Sequence, residues 1–380
     1  MKKIIILFLF GFILLSGCQP NDDPNENGDL RRFDQTTFDA GFDTIIRIIA
    51  YTETRAEFDQ YFDQMQQDFL YLNNLFDKYN AYPGINNIHT INRQAGLSPV
   101  EVDPIIIDLI KMSKLWYDEG EQLLDISMGA VLNIWHDYRE RGLEKNSQGQ
   151  GGAVPSLAML EQAKLCTGWD YVQIDEEAKT VFLTDACASL DVGATAKGYA
   201  TEFVARRLEA AGLKHGVISA GGNVRTINTR ANKDPWAIGV ELPEMFTQRS
   251  ADTLRIPFSV SIVTSGDYQR YYLGTDGKSY HHLINPNTLF PETYFHSVTA
   301  ITKDSGIADA LSTILFLMPY EQGLAYIEAL QQEYPDELIG AFWIFANDNP
   351  IPTNGNIAQS EGYHVAITDS LIQYSRVFTP

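Results

Sequence analysis

Along this chain, stretches whose apolar residues recur every three or four positions trade places with shorter stretches that are apolar at alternate positions or throughout. The first kind predicts helices. Phe58, Phe62, Met65, Phe69, Leu72 and Phe76 recur at four-three spacing, an amphipathic helix whose aromatic stripe turns to the core. Asp103 and Pro104 open a second helix, because proline suits a first turn. Val131 to Tyr138 predicts another, and a strand end at Ser189 to Tyr199 turns into a helix reaching about Ala211. Ala308, Leu311, Ile314, Leu315 and Met318 mark a buried helix that Pro319 stops, and Tyr320 to Gln332 follows it. The second kind predicts strands. Phe38 to Thr52 is one, interrupted at Gly41 to Thr44, and Asp170 to Ile174 with Thr180 to Leu183 forms a hairpin. Others fall at His215 to Ser219, Trp236 to Glu241, Ile256 to Val263, His296 to Ile301 and Ile339 to Phe345. Asn80 to Asn92 reads as a polar loop and Glu144 to Pro155 as a flexible insertion. There is no strict strand–helix alternation and no Gly-rich dinucleotide fingerprint, which excludes a doubly wound fold.

Against this pattern a few polar positions stand out. Asp309 and Thr313 lie four apart on the buried helix, so both leave the same face. A carboxylate and a hydroxyl so placed can hold a hard cation such as magnesium. They also fit an early-helix carboxylate favoured by the macrodipole and a core-filling threonine. The net charge of −21 and pI near 4.6 repel phosphate backbones and exclude nucleic acid as a partner. For the same reason a phosphorylated small substrate would need a cation beside it.

Lys2 and Lys3 precede an apolar run from Ile4 to Leu15, and Leu15 to Cys18 follows the pattern of a bacterial lipobox. Residues 1–18 are therefore expected to be a lipoprotein signal and lipobox, with Cys18 lipidated and the protein held on the extracytoplasmic face of a cell membrane. Residues 19–32, rich in Asn, Asp and Pro, are expected to be a disordered tether, leaving 33–380 as the functional domain. An oxidising exterior would permit a disulfide between Cys166 and Cys187, but nothing in the sequence brings them together, and both read as ordinary buried cysteines.

Several polar segments sit where strands end. The most telling are Leu190 to Ala200, Gly221 to Asn223, Thr264 to Tyr271 and Ala308 to Thr313. In this order, with Phe42 to Thr44, Leu124 to Ser127 and His281 to Pro286, they closely resemble the FAD:protein FMN transferase (ApbE) family over nearly the whole chain after the tether. The resemblance implies an α+β fold of mixed sheets and packed helices, two-layered, with an FAD cleft between lobes. It implies an enzyme that uses Mg2+ to cleave FAD, attaches FMN to a threonine of a target protein and releases AMP. Carried over by motif, Asp309 and Thr313 resemble side-chain magnesium ligands, and Ala194 and Gly306 resemble positions that give backbone oxygens. Phe42, Asp125, Asp191, Lys197 and His282 fall where the family lines its FAD site, with His282 the candidate base for the acceptor hydroxyl. Singly, each has a plainer account: Asp191 as a helix cap, Lys197 as a solvated residue, Gly221 to Asn223 as a tight turn. Asn285 stands where the family usually carries Asp, so an acid–base task for that side chain, or its help to His282, is in doubt. Two other functions stay open: an FAD pyrophosphatase yielding FMN and AMP, and a flavin-binding lipoprotein without catalysis.

Overall fold

The computed structural model describes residues 30–379, apart from 245, 246, 248 and 348. The signal segment, Cys18 and nearly all of the expected tether lie outside the described residues. Arg31 and Arg32, expected to belong to the tether, already pair in the first strand.

The strands are β1 (Arg31–Thr37), β2 (Ile46–Thr52), β3 (Val100–Glu101), β4 (Val172–Asp175), β5 (Thr180–Leu183), β6 (Gly216–Ala220), β7 (Asn223–Ile227) and β8 (Trp236–Glu241). They continue as β9 (Ser250–Ile256), β10 (Ser261–Gly266), β11 (Tyr271–Leu273), β12 (Ser279–His281), β13 (Phe295–Thr302), β14 (Gly340–Phe345), β15 (Asn356–Ser360) and β16 (Tyr363–Ile367). The helices are α1 (Arg55–Phe76), α2 (Ile88–Arg93), α3 (Pro104–Glu119) and α4 (Gly129–Ser147). The later four are α5 (Leu157–Lys164), α6 (Ala196–Ala210), α7 (Ser305–Leu317) and α8 (Tyr320–Glu333).

Nine strands form one antiparallel sheet in the order β1-β2-β6-β7-β10-β13-β14-β16-β15. Period-two alternation divides its side chains between two cores. Ile48, Ile218, Val263 and Trp343 meet the stripe of α1 and the apolar faces of α6 and α7. Ile49, Val217, Ile262 and Phe342 meet Trp236, Ile238 and Leu254 of the β8–β9 hairpin. The sheet is thus covered on both faces, three layers where two were expected. A third, smaller core joins Val131 and Trp135 of α4 to Tyr272, Ile284 and Leu289. That cluster holds the loop bearing His282 over one end of the sheet.

The α1 stripe is buried as its spacing requires, and the structure is α+β as expected. Five expectations change. The strand expected at Ile256 to Val263 is instead the end of β9, a break at 257–260 and the start of β10. The strand expected over Phe38 to Thr52 starts only at Ile46, because Gly41, Phe42 and Asp43 adopt left-handed backbone. The loop expected at Asn80 to Asn92 contains α2, started by a capping box between Asn87 and Thr90. α4 runs through the first residues of the expected insertion, to Ser147. Cys166 and Cys187 are not ordinary buried residues: they form a disulfide with Cα atoms 5.4 Å apart, and Cys187 is exposed.

Candidate active site

The α6–α7 junction forms the floor of the site. Asp304 caps α7 by accepting from the Gly306 and Ile307 amides at 2.8 and 3.0 Å. One helical turn then sets Asp309 below Thr313. α6 crosses so closely that a Cβ on Gly198 would lie 2.3 Å from Asp309 Cβ and 2.4 Å from the Ser305 carbonyl. Only glycine fits, and its amide donates to Asp309 Oδ2 at 2.7 Å. Burial pushes the Asp309 carboxyl up, while the Lys197 charge and the Gly198 amide pull it back. Burial likewise lowers Lys197, against the pull of Asp309 and with the repulsion of Arg270. The Lys197 ammonium donates to Asn223 Oδ1 at 3.4 Å. Thr313 Oγ1 lies 3.4 Å from Ser265 Oγ, which also meets Ser312 Oγ at 2.8 Å.

Ala194, Lys197, Asp309 and Thr313 all line one cavity of about 950 Å³. Gly306 does not: it stays in the first turn of α7 with its Cα turned to Met112, whose Sδ would lie 2.9 Å from a Cβ there. Among the described residues no group of three His, Cys, Asp or Glu could hold a metal ion. A cation on Asp309 would have one carboxylate and neutral oxygens, a hard and sparsely charged set. This fits magnesium, which takes few protein carboxylates and completes its shell with water and substrate phosphates.

The rim is built differently. Gly41, Phe42 and Asp43 have φ of 87°, 58° and 47°, a costly run for Phe and Asp. Asn73 holds it: its Oδ1 accepts from the Phe42 amide at 2.7 Å, and a Cβ on Gly41 would strike the Asn73 side chain at 2.5 Å. Asp191 does not cap α6. Its Oδ2 takes the Lys78 ammonium at 2.6 Å and its Oδ1 the Gly193 amide at 2.9 Å. Burial works against the Lys78 charge, but Asp191 and Tyr79 together more than offset it and the pKa rises. Asp125 Oδ1 accepts from the Ser127 amide and hydroxyl at 2.9 and 2.7 Å, while burial pushes its carboxyl up.

His282 lines the same cavity, and its Nδ1 is buried with no hydrogen-bond partner. Burial holds its pKa well below the usual value, reinforced by Arg270, His281, Arg139 and Lys197. A neutral ring results, with a ring nitrogen free to accept or donate. Asn285 does not orient it. The Asn285 amide donates to Glu292 Oε1 at 2.9 Å, and its Oδ1 takes the Asn287 amide at 2.8 Å. The neighbouring His281 is structural, bonded to the Glu292 carbonyl and the Leu283 amide.

The structure thus brings Phe42, Asp125, Asp191, Ala194, Lys197, His282, Asp309 and Thr313 around one cavity. It adds Lys78, Arg139 and Arg270, which sequence reasoning did not assign to the site. Arg270 lies inside the quoted Thr264 to Tyr271 segment and was within reach of a motif argument. Lys78, just beyond α1, and Arg139 within α4 carry no local signal; tertiary packing alone brings them here. The cavity bends around the Gly221–Gly222 turn, from the helix-covered face of the sheet to the hairpin-covered face. A buried carboxylate on the floor and cations on the rim give the cavity the charge pattern of a polyanion-binding site.

Comparison with known proteins agrees. A model of the ApbE family matches residues 42–335. The chain is 31% identical over 263 residues to an FAD:protein FMN transferase of Klebsiella pneumoniae (strain 342), covering 69% of this chain and 76% of that protein. It is 28% identical over 323 residues to a protein of the same name from Treponema pallidum (strain Nichols), covering 80% and 82%. An ApbE crystal structure from Thermotoga maritima superposes with a TM-score of 0.72 at 24% identity, covering 91% of this chain and 99% of that one. The flavin transferase ApbE from Vibrio cholerae does so with a TM-score of 0.67 at 21% identity, covering 91% and 99%. The chain belongs to the ApbE family.

Proposed function

We propose that this protein is an FAD:protein FMN transferase that works with Mg2+. It would cleave the FAD pyrophosphate, attach FMN to a threonine of a second protein and release AMP. The observation that carries this reading is the pairing, in one cavity, of a buried Asp309 with a rim of Lys78, Lys197, Arg139 and Arg270. Family membership supplies the reaction.

Phosphoryl transfer needs charge neutralisation and in-line positioning more than covalent help. Asp309, Thr313 and Ala194 would hold Mg2+, which when bound would screen the pyrophosphate oxygens and ease AMP departure. Gly198 keeps the Asp309 carboxylate in place through its amide. Lys197 and Arg270 face the same space and offset the phosphate charge. Neutral His282 would take the acceptor hydroxyl proton on a ring nitrogen, since burial first and then the cations around it hold its pKa well below the usual value. The test is incubation with FAD, Mg2+ and a candidate acceptor, followed by intact mass. The reading requires a gain equal to FMN less water on the acceptor and a matching amount of AMP. AMP and free FMN without modified acceptor would make the protein a pyrophosphatase, and unchanged FAD would leave only binding.

The localisation reading rests on residues 1–18: the lysine start, the apolar run and Leu15 to Cys18 favour a lipid anchor on the extracytoplasmic face. Cys18→Ser should move the protein from membrane to soluble fractions without loss of transfer activity. Retention of the variant in membranes would refute lipidation at that residue.

A further inference from the structure

The cavity has two arms, and the residues assigned to FAD and the cation occupy only one. Phe42 packs beside Phe69 of α1, and Lys197 and Asp309 stand on α6 and α7, all on the helix-covered face. The second arm lies on the other face. Its floor is a single row across five neighbouring strands: Thr36 pairs with Arg47, Arg47 with Ser219, Ser219 with Val224, and Val224 with Ile262. All five line the cavity. Its wall is β8, where Ala237, Gly239 and Glu241 alternate with the core residues Trp236, Ile238 and Val240. Glu241 makes no hydrogen bond or ion pair among the described residues, and burial pushes its carboxyl up. The arms meet at Gly222, where a Cβ would find nothing nearer than the Thr264 carbonyl at 3.9 Å.

We infer that this hairpin-side arm is the docking channel for the acceptor protein, which enters as an extended segment and delivers its threonine to the phosphate beside Asp309. The inference rests on the transferase reading. A transfer between two substrates needs two approaches to one phosphorus, with the attacking and leaving oxygens in line on opposite sides. The row crosses four strand spacings of about 4.8 Å each, so the channel is about 19 Å long, room for about six extended residues. Its mouth is the exposed edge strand β1, so a protein segment can enter without opening the core. Its wall offers in Glu241 a half-buried carboxylate with no protein partner among the described residues, and an extended backbone carries a row of N–H donors able to meet it. In the step itself, an Oγ–P bond forms at the flavin-side phosphorus as the bridging P–O bond breaks. AMP leaves with the electron pair, and the hydroxyl proton passes through His282 to solvent.

The test uses the purified chain, FAD, Mg2+ and a pool of ten-residue synthetic peptides with a central threonine and random flanks. The peptide that the parent modifies best is then resynthesised alone for kinetics. Thr36→Trp, at the exposed mouth, should obstruct the channel, and Glu241→Leu should remove its acceptor. Each should raise KM for the peptide by about tenfold or more, with KM for FAD and AMP release into water within about twofold of the parent. Thr36→Ser should behave as the parent. Unchanged peptide KM in both variants overturns the inference. So does a parallel rise in the KM of FAD, which would give the arm to the nucleotide, and so does a parent that cleaves FAD but modifies no peptide. A parent that releases no AMP would instead sink the transferase reading beneath it.

Discussion

The floor and the rim of the cavity carry opposite deficits. On the floor, Asp309 has a main-chain amide and a half-buried lysine for company, and burial raises its carboxyl, so the site is short of positive charge. On the rim, Lys78 has a close carboxylate in Asp191, and Arg139 reaches Glu140 at 3.7 Å. Arg270 makes no ion pair among the described residues, and the pKa of His282 is depressed, by burial first and then by the cations around it. Neither region is satisfied by the protein. In the proposed reaction a cation on the floor and phosphates between floor and rim would complete both at once, which would let a chain of net charge −21 concentrate an anionic substrate.

The largest effect is expected at the floor. Asp309→Asn keeps an acceptor for the Gly198 amide but removes the charge, so the fold should survive while FMN transfer falls by about 4 kcal/mol, roughly a thousandfold. Transfer at the parental rate in limiting Mg2+ would dissolve the contrast between the regions. At the rim, His282→Ala should cost roughly a hundredfold in transfer rate, the usual worth of one positioned base. An equal rate across the pH range would take histidine out of the chemistry.

How much of this was legible in the sequence depended on how local each cause is. Asp309 and Thr313 were readable because a helical turn fixes their relation, and the α1 stripe because burial imposes its period. Lys78 and Arg139 were not, because no local rule ties either to Asp191 or His282. The same gap left open whether Asn285, which stands where the family usually carries Asp, helps His282. The turn instead points its amide at Glu292. Gly306 was carried over by motif; its amide is spent on the cap of α7, and the residue lies outside the cavity lining. The disulfide could not be seen at all, since it depends on how the Leu157–Gly168 segment packs beside the end of β5.

Two finer variants sharpen the account of the rim. Arg270→Gln removes the largest cationic contribution to the depressed His282 pKa. A lowered pKa keeps the ring neutral into acid, so relief of the lowering should move the acid limb of the pH–rate profile to higher pH. A limb that stays put or moves lower would show that Arg270 does not act through His282. The smallest effect belongs to Asn285→Asp, which places a carboxylate against Glu292, whose own carboxyl burial already raises. Two close carboxylates repel above their pKa values, so the variant should lose about 1 kcal/mol at neutral pH and recover it as acid protonates one of them. Transfer should change little, because neither group touches His282. A thermal midpoint gap that widens in acid would contradict this.

The central claim is that floor and rim are completed together, and a binding measurement tests it without turnover. FAD affinity is measured by titration calorimetry with and without Mg2+, for the parent and for Asp309→Asn, at short times and low temperature. The account predicts that Mg2+ tightens FAD binding by about tenfold or more in the parent, a coupling that must be reciprocal, and by nothing measurable in the variant. Equal coupling in the two proteins would place the cation elsewhere and contradict the account.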